Sequence, residues 1–239
     1  MTSLKKQKNT KTLRTFFDKW MSACCLAAMT LVLAPSADAR QVITNDVREW
    51  AREAIKNEQA LDATTVANTI SVLYFNNRTE WQKLDPLRKG IAIMLLTDLH
   101  KVKELTVLER VKLEALVQEM NLAKSGLLNG DTAPRLGKLI GAEYLVGGDI
   151  ILDKLKKFSF ESDLLNVPAE KVDAHPTANG DLLTGLFKME KELLFDIVSH
   201  FNITITPELE TELKKTPTDN LDAIMALFLG LEQSDLASY

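Results

Sequence analysis

The sequence predicts an α/β fold, a layered domain with a small mixed sheet flanked by helices, plus a C-terminal helical tail. Three observations lead there. Strand and helix patterns alternate without a break from Thr69 to Ile150, apolar stripes recur at helical spacing on the segments between and around the strands, and helix-starting or helix-ending residues stand at the boundaries. Sheets with helical crossovers bury such stripes against their faces.

Residues 1–20 carry six Lys/Arg (Lys5, Lys6, Lys8, Lys11, Arg14 and Lys19), and the apolar run Met21 to Ala34 follows at once. That run has 14 residues, short of the roughly 20 that a membrane-spanning helix needs. Ala37-Asp38-Ala39 then places small residues at cleavage positions. Residues 1–39 are read as a signal peptide, cut between Ala39 and Arg40; the long n-region with Asp18 leaves an uncut anchor as the alternative. Cys24 and Cys25 lie inside the apolar run, with Leu26 to Leu33 after them. A lipid-bearing Cys follows its apolar run, so soluble export is favoured over a lipid anchor.

Cleavage removes both cysteines of the chain, so stability must come from a packed core rather than a disulfide. It also removes six of the 29 Lys/Arg and two of the 33 Asp/Glu, which leaves a net charge of about −8. An acidic chain of this kind is a poor ligand for nucleic acid or anionic lipid.

The N-terminal stretch 40–66 reads as an amphipathic helix and a linker: Val47, Trp50, Ala51, Ala54 and Ile55 recur at helical spacing between Asp46 and Ala60. The α/β domain is expected over 67–201. Ile70 to Phe75 is a short buried strand, bounded by a polar loop Asn76 to Glu80. Asp85-Pro86 starts a helix, with Asp85 as its cap and Leu87, Ile91, Met94, Leu95 and Leu99 on one face. Leu105 to Glu109 is the second strand, and Leu113, Leu116, Val117 and Met120 mark the helix behind it. Asp131 to Pro134 starts a short helix that Gly141 ends in a left-handed cap, and Ala142 to Leu152 returns as the third strand.

After the basic turn 153–157, Phe158 to Val167 alternates as a half-buried strand whose candidate partner is Glu170 to His175. Asn179-Gly180-Asp181 breaks the chain and opens the strongest helix, with Leu183, Leu186, Phe187, Leu193, Leu194, Ile197, Val198 and Phe201 in one stripe. This stripe is read as core, with a partner surface as the rival reading. The tail, 202–239, holds two further helices starting at Thr206-Pro207 and at Pro217 to Asn220, the last with Leu221, Ile224, Met225, Phe228 and Leu231. Gly230 and Tyr239 are spaced as in half of a tetratricopeptide pair, but a half-repeat has no neighbour to bury its face, so a packing helix is expected.

The order Val72-Leu73-Tyr74-Phe75-Asn76-Asn77, Leu84 to Leu99, Leu105 to Arg110, and Leu136 to Ala142 leading into Tyr144-Leu145-Val146-Gly147-Gly148-Asp149-Ile150 resembles the CsgG family of curli secretion and assembly components. The resemblance covers about a third of the chain and implies work in the assembly or secretion of curli-like fibres, or of another envelope structure, through protein contacts. It implies that protomers associate into rings through this domain, hence a homo-oligomer. In curli pores the part of the chain after the third strand is extended into hairpins that line a barrel. Here Phe158 to Val167 and Glu170 to His175 are too unequal to build one, and the family's periplasmic domain is expected without its pore. Glu109 and Arg110 correspond to the family's Glu-Arg, for a structural or partner-contact role, and Gly137, Gly141, Gly147 and Gly148 complete the motif residues.

No chemistry stands out. His100, His175 and His200 are far apart and read as surface or helix-end residues, Gly137-Lys138 lacks the rest of a phosphate loop, and no nucleophile elbow exists. Gly147-Gly148 is read as a bulge or a close backbone approach at the end of a strand. Asp149, Asp153 and Glu190 are the carboxylates that an acidic site would use, and Glu190, inside an apolar stripe, is the one whose burial matters. The sequence thus points to an exported, periplasmic, non-enzymatic protein with no cofactor and no metal, contacting envelope proteins and associating at most peripherally with the outer membrane. The alternative is a regulator of a cell-envelope enzyme, similar to outer-membrane activators of peptidoglycan synthases or to the amino-terminal domain of TolB.

Overall fold

The computed structural model describes residues 43–60, 65–122, 132–154, 157–218 and 220–236. The expected signal peptide, its cleavage point at Ala39 and Arg40, both cysteines, Asp131 and Tyr239 lie outside the described residues. What is described belongs to one compact unit, Gln41–Tyr239.

In chain order the elements are α1 (Asn45–Lys56), a 3-10 turn (Glu58–Ala60), β1 (Thr69–Val72), β2 (Asn76–Asn77), a second 3-10 turn (Gln82–Leu84), α2 (Asp85–Leu99), β3 (Thr106–Val107), α3 (Arg110–Glu119), α4 (Thr132–Ile140), β4 (Tyr144–Leu152), β5 (Phe158–Asn166), β6 (Lys171–Ala174), β7 (Thr177–Gly180), α5 (Leu182–His200), α6 (Pro207–Leu213) and α7 (Leu221–Leu236). The sheet is mixed, in the order β3-β1-β4-β5-β6, with β2 beside β4 and β7 beside β5. β1 runs parallel to β3 and β4, whereas β5 is antiparallel to its neighbours. This is the predicted fold class.

Strand side chains alternate between two faces, and so the core divides in two. On one face Ile70, Val72, Val146, Ile150, Phe160 and Leu164 pack with Leu87, Ile91 and Leu95 of α2, with Leu186, Leu193, Leu194, Ile197 and Val198 of α5, and with Ile224 and Phe228 of α7. On the other, Leu73, Leu145, Leu165 and Val167 pack with Ala51 of α1, Leu113 and Leu116 of α3, and Leu136 and Leu139 of α4. The α5 stripe is therefore core at Leu186, Leu193, Leu194, Ile197 and Val198, with Phe187 and Phe201 partly buried against it and the Leu183 side chain outside the described residues, and the rival reading of it as an open partner surface falls.

Local signals act where they were read, with exceptions. Thr206, at an expected helix start, caps α6 by accepting from the Leu209 amide (3.2 Å), and Thr44, not marked in the sequence, caps α1 by accepting from the Val47 amide (3.4 Å). Asp85 caps nothing: it sits in the first turn of α2 and accepts from Asn77 Nδ2 at 2.7 Å. That bond belongs to a second correction. Asn76 and Asn77, expected in a loop, are strand β2 opposite Asp149 and Ile150, and Asn76 Nδ2 donates to Asp149 Oδ1 at 2.8 Å. Side-chain bonds hold this strand where apolar burial does not.

The third correction concerns β5. Its main partner is β4, along nine register pairs from Tyr144↔Asn166 to Leu152↔Phe158, with β6 and β7 sharing the other side. Asn179 and Gly180, expected to break the chain, belong to β7 opposite Ser159 and Phe158. A strand with partners on both sides and helices on both faces is more than half-buried: even Ser159 and Ser162 are inside.

Candidate functional site

Glu109 and Arg110 stand where β3 passes into α3. Glu109 occupies the N-cap position without making a side-chain cap bond, and its Oε1 meets Lys112 Nζ at 3.4 Å in the open. Arg110 turns inward. Its Nη1 donates to Tyr74 Oη and to Glu114 Oε2, each at 3.0 Å, and the Tyr74 hydroxyl in turn donates to Glu114 Oε2 at 3.0 Å. Lys89 of α2 approaches the same carboxylate at 3.9 Å and lies 5.6 Å from the Tyr74 ring centre. Burial, and then the Glu114 charge, hold the Tyr74 phenol far above its ordinary pKa. Burial lowers Lys89 to about 8 against the pull of Glu114. The cluster ties α3 to α2 and to the segment that follows β1; each of these charges meets a neighbour within the fold.

The four motif glycines serve the backbone. Gly141 has φ +78, and with the bonds Ala142 N–H to Gly137 C=O (3.0 Å) and Gly141 N–H to Lys138 C=O (3.2 Å) it closes α4 in the left-handed cap expected of it. Gly137 lets α4 sit on Val167, whose methyl a Cβ would meet at 2.3 Å. Gly147 and Gly148 lie in mid-strand, opposite Asp163 and Ser162, rather than at a strand end. The close approach is there: a Cβ on Gly148 would stand 2.1 Å from the Glu161 carbonyl oxygen.

Of the remaining candidates, Asp149 accepts from Asn76 and from Arg78 (3.2 Å), and Asp153 accepts from the Lys157 amide at 2.8 Å. The histidines stay apart. His100 Nδ1 meets the Leu96 carbonyl at the end of α2, His175 pairs with Asp163 at the surface, and His200 stacks edge-on with Tyr144 and Phe201. Among the described residues no group of His, Cys, Asp and Glu could hold a metal ion, and no helix is long and apolar enough to cross a membrane.

Glu190 is buried, 1% exposed. Its Oε2 lies 3.1 Å from Lys191 Nζ, but neither oxygen has a hydrogen-bond partner among the described residues. Lys191 donates instead to Asp98 of α2, which also accepts from Lys101 at 2.8 Å. Burial, with Asp98 alongside, raises the Glu190 carboxyl to about 7. The sequence marked Glu190 by its place in an apolar stripe. It left Asp98 unremarked, although Asp98 stands on α2 among Met94, Leu95 and Leu99, where a solvated face has no room.

Residues 51–153 match the family described as curli production assembly/transport component CsgG. That match covers less than half of the chain. Comparison with curated proteins finds no match. Among solved structures, the LpoB C-terminal domain from Escherichia coli is similar at 17% identity and TM-score 0.40, over 57% of this chain and 98% of that one. Lipoprotein GNA1162 from Neisseria meningitidis is similar at 13% identity and TM-score 0.35, over 58% and 99%. Protein CT253 from Chlamydia trachomatis is similar at 17% identity and TM-score 0.35, over 56% and 95%. The matched segment runs from within α1 through β4 and so contains the Arg110 cluster and all four glycines. β5, α5 and α7 lie beyond it, Glu190 included.

Proposed function

We propose that this chain is an exported cell-envelope protein of CsgG type that works without catalysis, in the assembly or secretion of curli-like fibres or of another envelope structure, through contacts with other envelope proteins. The match of residues 51–153 to the curli assembly/transport family carries this reading. The buried charges fit it, because Arg110, Glu114 and Lys89 answer one another and join α3 to α2.

Work in the periplasm after cleavage before Arg40, without a pore of its own, completes the proposal. The long β4–β5 hairpin turns Ile150, Phe158 and Phe160 into one core and Leu145 and Leu165 into the other, so it is the centre of the domain rather than a lipid-facing ribbon.

The test is capture of envelope partners by the chain starting at Arg40. Recovery of a fibre subunit or a secretion component is the expected result. Recovery of a peptidoglycan synthase would move the protein to the regulators of cell-envelope enzymes, and turnover lost on a single carboxylate change would make it an enzyme.

A further inference from the structure

Between α2, α5 and α7 lies a cleft of about 260 Å³. Its walls are apolar: Ile93 and Met94 from α2, with Ile224, Leu227 and Leu231 from α7. Leu227 stays 54% exposed at the mouth. At the floor stand Asp98, Glu190 and Lys191, with Lys101 beside them.

The hydrogen bonds on that floor are unevenly shared. Asp98 takes both lysines as donors, whereas Glu190, equally out of water, has only the off-axis approach of Lys191 and accepts no hydrogen bond. A buried acceptor left this way costs free energy that a donor supplied from outside would recover. Lys101, Lys191 and Lys215 stand here against Asp98, Glu190 and, through its pairs with Lys101 and Lys215, Glu212, so an extra cation would crowd the lysines and an extra anion would crowd Asp98 and Glu212. We propose that this cleft binds an uncharged amphiphile, an aliphatic body of about six carbons with a hydroxyl or amide N–H head that donates to the Glu190 carboxyl. The same chemistry arrives as a free small molecule or as the side chain of a glutamine flanked by an apolar residue.

Titration of the full chain with hexanamide, and separately with a capped Leu-Gln dipeptide, followed by NMR of the Met94, Leu227 and Leu231 methyls, distinguishes these sources. Saturable shifts in those methyls with either compound are expected. Hexylamine and hexanoate should bind at least tenfold more weakly. Glu190→Met, which keeps the shape and deletes the acceptor, should weaken the better ligand roughly tenfold or more. Leu227→Ser, at an exposed wall and harmless to the core, should weaken it severalfold. Absence of saturable shifts with both compounds, equal binding of the charged analogues, or unchanged affinity in a folded Glu190→Met protein would each overturn the assignment.

Discussion

At Glu190 a single carboxyl makes folding depend on pH. Its pKa rises from the ordinary 4.5 to about 7 in the fold, so the folded chain holds a proton that the unfolded chain has released. The associated stability is complete below about 4.5 and lost as pH climbs through 7, a swing on the order of 3 kcal/mol. Glu190→Gln should remove that part of the slope, and urea midpoints at pH 5 and pH 8 would show wild type weakening across the interval while the variant does not. Glycines give a second residue-scale contrast. Gly148→Ala drives a Cβ into the Glu161 carbonyl, and a loss of at least ~2 kcal/mol or outright failure to fold is expected. Gly141→Ala meets open space and bears only the positive-φ strain, about 1 kcal/mol. Thermal melts of the two variants would rank them.

Elements were readable where burial alone chose the residues. The stripes of α2, α3, α5 and α7 each show one apolar face in the sequence, and that face meets the sheet or a helix on it. β2 was unreadable because its two residues are asparagines that hold their place by bonds to Asp149 and Asp85, partners distant or ambiguous in sequence. β7 hid for another reason: Thr177-Ala178-Asn179-Gly180 has turn composition, yet β5 needs a neighbour along Phe158 to Glu161 and takes the four residues after Pro176. Among the site residues, the Gly141 cap was legible from local chemistry, and Arg110 and Glu114 stand four apart on one helix, but the bonds of both to Tyr74 join positions 36 and 40 apart and leave no local trace. The α5 stripe carries a prediction at the scale of the element. Leu186→Asp with Leu194→Asp should abolish the folded circular-dichroism signal, since both side chains are inside, whereas Leu227→Asp on α7 should leave it intact.

For the whole molecule, the segment matched by the family model supplies the sheet's parallel half and one helical layer, and the chain from β5 to α7 supplies the antiparallel half and much of the opposite cover. A cut after residue 153 would strip β4 of the strand it pairs with along nine positions, so the segment alone should not fold, and a dispersed NMR spectrum from 43–153 would refute this. Mass in solution is the measurement that bears on assembly. Light scattering of the chain starting at Arg40 should give a symmetric oligomer if association through this domain is its mode of work; a clean monomer would assign it to partners bound one at a time.

Phe228 of α7 rests on Gly90 of α2, where a Cβ would stand 2.2 Å from its ring. Together with buried Ile224, this aromatic knob in a glycine-sized notch holds α7 against α2, and the cleft between the two helices depends on that docking. The two events share one equilibrium: any occupant of the cleft would stabilise the docked helix by an amount that grows with the logarithm of its concentration over its dissociation constant, and a force that draws α7 away would eject it.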